Sequence, residues 1–163
     1  MIEEIHIQTL AKNVAGKLLK QGHKLAAAES CTGGWICQTV TDIAGSSEWF
    51  DRGFITYSNQ AKQEMLGVPE SVLAVHGAVS EEAVCAMVAG ALRNSQADCA
   101  LAVSGIAGPG GGTEGKPVRT VWFAWQRRGG DCMSLSKQLE GDRRSVRLQA
   151  VALALEGILH IDG

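Results

Sequence analysis

The chain has no C-x-x-C pair, only four histidines, one tyrosine and three prolines, and no excess of positive charge. Each shortage removes a class of function. With 15 Lys and Arg against 17 Asp and Glu, and a formal net charge of -2, it lacks the basic surplus of proteins that neutralise a phosphate backbone, so nucleic acid is not the expected partner. No apolar run approaches the roughly 20 residues that span a bilayer. The first residues, MIEEIHIQ, are acidic where an export signal is basic, which predicts a soluble cytoplasmic protein with no membrane partner. Five cysteines, Cys31, Cys37, Cys85, Cys99 and Cys132, make an odd, widely spaced set that suggests neither zinc nor dithiol chemistry. A reducing compartment fits them, with most acting as small hydrophobes in apolar runs. Neither a metal nor a cofactor is expected.

What is present is ordinary globular composition: 163 residues, 45% hydrophobic and 20% charged, with 20 glycines for tight turns. One domain over 1–163 is the economical expectation, since a chain of this size buries roughly 70% of its unfolded surface in one core. Ile5, Leu10, Val14, Leu18 and Leu19 fall near helical spacing, giving an amphipathic helix that stops at Gly22. The segment 24–29 is short, apolar and bounded by a turn, and reads as a buried strand. A helix follows over 32–43, then a strand over 54–57, a helix capped by Ser58-Asn59 and ending near Leu66, a turn at Pro69, and an alanine-rich helix from Ser80 to Asn94. Strands are expected over 99–103, 118–125 and 133–139, the last two antiparallel across Arg127-Arg128-Gly129-Gly130. A final helix covers 142–159. Helices and strands in this order predict a three-layer α/β/α sandwich on a mixed, mostly parallel central sheet.

Ligands in such sheets gather at the carboxyl ends of strands, which directs attention to three segments. Glu29-Ser30-Cys31-Thr32-Gly33-Gly34 leaves a strand and enters a helix, so its N–H groups can form an anion or oxyanion site with Ser30 held out for attack. The plainer reading makes Ser30 or Thr32 a helix cap. Of the histidines, His23 lies at the far end of the same strand, His6 and His160 lie near the termini, and only His76 remains as a partner for Ser30. Lysine is the alternative base, because a desolvated amine can lose its proton. Lys62, with Tyr57 ending the preceding strand, suggests a Ser-Tyr-Lys relay, against the reading of a half-buried strand aromatic and a solvated lysine.

The third segment, Ser104 to Lys116, contains G-x-x-x-x-G-K and G-x-G-x-x-G matches, but both motifs need a helix directly afterwards and a strand follows instead. It remains a candidate ligand loop through its own N–H groups. Arg143 and Arg147 lie at the start of the last helix, where positive charge opposes the dipole. A nearby anion would offset that cost, so phosphate recognition competes with a solvated basic turn capped by Asp142.

Ala28-Glu29-Ser30-Cys31-Thr32-Gly33-Gly34 resembles the CinA C-terminal domain family. Further segments agree in order: Asp42 to Ser47, Thr56-Tyr57-Ser58-Asn59 with Lys62, His76 to Ser80, Ser104 to Pro109, and Gly141-Asp142-Arg143. Standalone members of that family include nicotinamide mononucleotide amidases. The resemblance implies hydrolysis of the nucleotide's carboxamide to the acid and ammonia, without a metal. Ser30 would attack and Lys62 and Tyr57 would move protons. Cys31, Thr32, Gly33, Gly34, Ser104, Gly105 and Gly108 would contact oxyanion and ligand, and Arg143 the phosphate. It also implies a homodimer or larger symmetric homo-oligomer. Larger CinA proteins carry an additional N-terminal nucleotide-processing domain, for which this chain has no room.

One departure stands out: after Lys116-Pro117-Val118 the family usually has glycine, and this chain has Arg119. A long cation there either reaches phosphate or obstructs the pocket. A catalytically silent nucleotide-binding or regulatory paralogue is therefore the rival reading, distinguished by ligand binding without ammonia release. A third reading makes Cys31 the nucleophile, its pKa lowered beside a helix N-terminus.

Overall fold

The computed structural model describes residues 3–161. Its five strands, β1 (Leu25–Glu29), β2 (Phe50–Ile55), β3 (Cys99–Gly105), β4 (Thr120–Arg127) and β5 (Met133–Gln138), form one sheet in the order β2-β1-β3-β4-β5. β1 pairs in parallel with both β2 and β3, whereas β4 is antiparallel to β3 and to β5. Four strands therefore run one way and β4 alone opposes them. The helices are α1 (Glu4–Gln21), α2 (Trp35–Thr41), α3 (Asn59–Leu66), α4 (Glu70–His76), α5 (Glu81–Arg93) and α6 (Arg143–His160). α1, α2 and α6 cover one face and α5, with α3 and α4 outside it, covers the other.

Side-chain size along the strands decides which helices each face accepts. Leu25, Leu101, Val103, Phe123 and Trp125 point toward α1 and α6, while Ala26, Ala28, Ala100, Ala102 and Ala124 point toward α5. Alanine is a poor strand former, yet it is what lets α5 lie close on β1 and β3. The same economy of volume recurs at Gly90, where an added Cβ would run into the Leu66 main chain at the end of α3. Replacing a mid-helix glycine by alanine ordinarily stabilises by about 1 kcal/mol. Gly90→Ala is expected instead to destabilise by about 2–3 kcal/mol, read from the urea midpoint.

The expected elements are present, with shifted boundaries. β2 begins at Phe50, four residues before the predicted start, because it is an edge strand whose charged Asp51 and Arg52 interrupt its apolar pattern. Pro69 opens α4, not merely a turn. The predicted helix over 32–43 narrows to α2, since residues 31–34 are turns. On α1 the buried stripe is Ile7, Leu10, Ala11, Val14, Ala15 and Leu18, leaving Ile5 and Leu19 exposed. Ser58, Ser80 and Asp142 cap their helices as expected, accepting from Ala61, Ala83 and Ser145 N–H respectively.

The cysteine expectation needs correction at two positions. Cys85 on α5 and Cys132, just before β5, form a disulfide across 47 residues of sequence. Cys31 and Cys99 are buried thiols. No helix among the described residues is long and apolar enough to cross a membrane.

Candidate active site

Ser30 continues β1 beyond Glu29, its N–H donating to Val103 O at 3.0 Å, so the neighbouring β3 holds it at the carboxyl edge of the sheet. On its other side the ladder to β2 ends with Thr56 N–H donating to Glu29 O at 2.8 Å. The next two carbonyls on that side, Thr56 and Tyr57, are taken by Lys62 instead, at 2.8 and 3.1 Å from its Nζ. The same nitrogen lies 3.0 Å from Ser30 Oγ. Lys62 reaches this point because α3 follows β2 after the Ser58 cap and turns Lys62 inward with Leu66, four residues on; Lys62 is 1% exposed.

These contacts define the chemistry of the amine. A neutral amine has two N–H bonds and one lone pair, and the two carbonyls occupy the two N–H bonds. In the charged form Nζ also donates to Ser30 Oγ, and the Ser30 hydroxyl donates to Tyr57 O at 3.4 Å. On losing a proton the amine keeps its two carbonyls and gains a lone pair toward Ser30 Oγ, to which the hydroxyl can turn. Burial lowers the Lys62 pKa from the usual 10.5 to about 8, so a substantial neutral fraction exists near physiological pH. Ser30 is itself only 6% exposed. A nucleophile and its base thus lie within hydrogen-bond reach of one another.

The turn after Ser30 is organised by Glu29, a residue to which the sequence reading assigned no role. Its carboxylate is fully buried and accepts from Thr32 Oγ1 at 2.6 Å and from the N–H groups of Gly34, Ile36 and Cys37 at 3.2, 2.9 and 3.0 Å. A buried charge is tolerable only with such partners. The consequence corrects the expected anion site: the N-terminal donors of α2 already serve an internal carboxylate and are not free for substrate. Gly33 and Gly34, with φ of 61° and 103°, let the chain turn tightly around it. What the turn leaves open is nearer Ser30. The main-chain N–H groups of Cys31 and Thr32 have no hydrogen-bond partner among the described residues.

The remaining candidates divide. Tyr57 contributes its carbonyl to Lys62, but its side chain is 63% exposed and its hydroxyl lies 3.5 Å from Arg143. A relay through the phenol is therefore not the arrangement seen; the amine meets Ser30 directly. Arg143 also donates to Gly108 O at 2.9 Å, tying the glycine-rich loop to the mouth of the site. Ser104 and Gly105 end β3 beside Ser30, Ser104 being buried. His76 faces Glu82 at 3.6 Å, with Lys116 on its carbonyl, and does not join the Ser30 pair. Burial pushes the Cys31 thiol up to about 11, which leaves it protonated at neutral pH and removes the thiolate reading. No group of three or more His, Cys, Asp or Glu side chains able to hold a metal occurs among the described residues. A cavity of about 750 Å³ opens elsewhere, between the starts of α1 and α6, and is lined by Glu3, His6, Glu140 and Gln149.

Arg119 has φ 72°, the left-handed region that favours glycine. Its N–H donates to Ile106 O at 2.7 Å and its Nε to Leu139 O at 3.1 Å, so the side chain runs along the end of β5. It neither reaches the Ser30–Lys62 pair nor blocks it. Arg119→Gly is accordingly expected to leave turnover within about twofold of the parent chain, since it removes no group that touches the pair, as measured by ammonia release.

Comparison with known proteins gives a consistent picture. The family model described as CinA C-terminal domain matches residues 7–161. The chain is 52% identical over 150 residues to a protein of Escherichia coli K12 named nicotinamide-nucleotide amidohydrolase PncC, covering 92% of this chain and 91% of that one. A Pseudomonas putida protein of the same name is 48% identical over 155 residues, covering 95% and 96%. Among solved structures, the competence/damage inducible protein CihA of Agrobacterium tumefaciens superposes with a TM-score of 0.92 at 43% identity, covering 95% of this chain and 94% of that one.

Proposed function

Since this chain belongs to the CinA C-terminal domain family, we propose that it is an amidohydrolase converting nicotinamide mononucleotide to nicotinate mononucleotide and ammonia. The observation that carries the reading is the buried Lys62 amine, 3.0 Å from Ser30 Oγ, in a chain whose relatives include several named nicotinamide-nucleotide amidohydrolase.

Ser30 Oγ attacks the carboxamide carbon as its proton passes to the Lys62 lone pair. The carbonyl π electrons move onto oxygen, where the free N–H groups of Cys31 and Thr32 supply an oxyanion site. The Lys62 ammonium returns the proton to the departing nitrogen, which leaves as ammonia. The acyl ester on Ser30 is then hydrolysed by water, with Lys62 again acting as base. Arg143, exposed at the mouth and anchored on Gly108, is suited to the substrate phosphate. Tyr57, beside Arg143, belongs to recognition of the nucleotide. Tyr57→Phe is expected to lower kcat by less than about tenfold, where loss of a group that moves protons would cost about 100-fold or more.

The direct test is ammonia release by the purified chain from nicotinamide mononucleotide, compared with free nicotinamide and the dephosphorylated nucleoside. Release fastest from the mononucleotide supports the reading. Saturable binding with no ammonia from any of them would leave the silent nucleotide-binding module instead.

A further inference from the structure

The guanidinium of Arg147 is half-buried and turned onto the main chain, not held out as a phosphate ligand would be. Its Nε donates to Cys31 O at 3.0 Å and a terminal nitrogen donates to Thr32 O at 3.1 Å. Its plane lies over the Trp35 ring, 5.4 Å from the centroid, with Arg144 on the same ring at 4.9 Å. The planar fork of arginine suits two consecutive carbonyls, and lysine cannot reproduce that grip. Helix α6 is thereby fastened to the turn that follows Ser30.

What the fork holds matters more than how firmly it holds it. The Cys31 carbonyl and the Thr32 N–H belong to one peptide unit, which is planar and trans, so the two groups point in opposite directions. A cation fixed on the carbonyl therefore sets where the N–H points, away from α6. Thr32 N–H is one of the two donors beside Ser30 without a partner among the described residues. A carbonyl that donates electron density to a guanidinium also makes its own amide a stronger donor, through hydrogen-bond cooperativity. From the other side Glu29 holds the Thr32 hydroxyl at 2.6 Å, so residue 32 is fixed at both ends while its N–H stays free.

We infer that Arg147 is a positioning residue for the oxyanion site: by binding the Cys31 and Thr32 carbonyls it aims and polarises the Thr32 N–H, and it does not contact the substrate phosphate. The inference rests on the amidohydrolase reading given above. Arg143, on Gly108 and Tyr57, keeps the phosphate role, and the two arginines of the same helix turn divide the work.

Turnover of Arg147→Gln and Arg147→Lys on nicotinamide mononucleotide and on its dephosphorylated nucleoside tests this. Removing an entire oxyanion donor costs about 100- to 1000-fold in kcat, so a misaimed one should cost about 10- to 100-fold. The loss should be in kcat, equal for both substrates, with KM nearly unchanged, and guanidinium ion should restore part of it in Arg147→Ala. A rise in KM confined to the phosphorylated substrate, or an unchanged kcat, would overturn the inference. The Thr32 amide resonance gives a readout that needs no catalysis: in Arg147→Gln it should move more than any amide outside the 30–36 turn. If it stays in place the positioning role is wrong. If it moves while the parent chain releases no ammonia, the amidohydrolase reading fails and the geometry stands.

Discussion

Ser30→Ala is expected to abolish ammonia release from nicotinamide mononucleotide, by about 10⁴-fold or more in kcat, while the nucleotide still binds. Lys62→Met should cost about 100- to 10⁴-fold on its own. The double variant should be little worse than Ser30→Ala, because two groups that act as one unit fail together. The pH dependence follows from which form of Lys62 works. The base must be unprotonated, and burial places its pKa at about 8, so about one-tenth of the chain is in the active form at pH 7. The ratio kcat/KM should therefore rise about tenfold per pH unit below this value and level off above it. Coupled ammonia assays across pH 6 to 10, with the binding of nucleotide to Ser30→Ala followed separately, check both statements. Retained turnover in Ser30→Ala would move the chemistry to another residue.

Reduction of the Cys85–Cys132 disulfide is expected to have the largest effect on stability. It closes a loop of 47 residues, and in the chain-entropy account a loop of that length stabilises by about 4 kcal/mol. For a chain of this size that corresponds to a fall in Tm of about 8–15 °C on adding dithiothreitol or in Cys85→Ser. The bond joins α5 to the start of β5, away from Ser30 and Lys62, so turnover at low temperature should be unchanged by reduction. Equal melting temperatures with and without reductant would show that the pair does not bridge in solution.

How much of this was legible in the sequence depends on whether a signal was local. The corner at Ser30 was legible because a short apolar strand, a turn with two glycines and a helical pattern follow one another directly. Lys62 was placed by lying in the helix that follows the strand ending at Tyr57, but its burial was not evident, since α3 reads as a polar helix. The available sign was its spacing of four from Leu66, which puts both on one face. Glu29 was missed as an organiser although it ends a strand buried at every position, and a carboxylate in that place must find donors. Tyr57 shows the limit of spacing arguments: position near the sheet edge did not specify that its carbonyl, not its phenol, meets the amine. The disulfide pairs residues far apart in sequence, and no local pattern encodes such a closure. At Arg119 the departure from the family's glycine signalled a backbone conformation, φ 72°, and not a change in the pocket.

The measurement closest to the centre of this account is a site-resolved titration of the Lys62 side-chain nitrogen by nuclear magnetic resonance. A buried amine held between two carbonyls and a serine hydroxyl should lose its proton with a midpoint near pH 8. A midpoint at the ordinary lysine value of about 10.5 would mean that the amine stays charged at working pH and is not the base for Ser30.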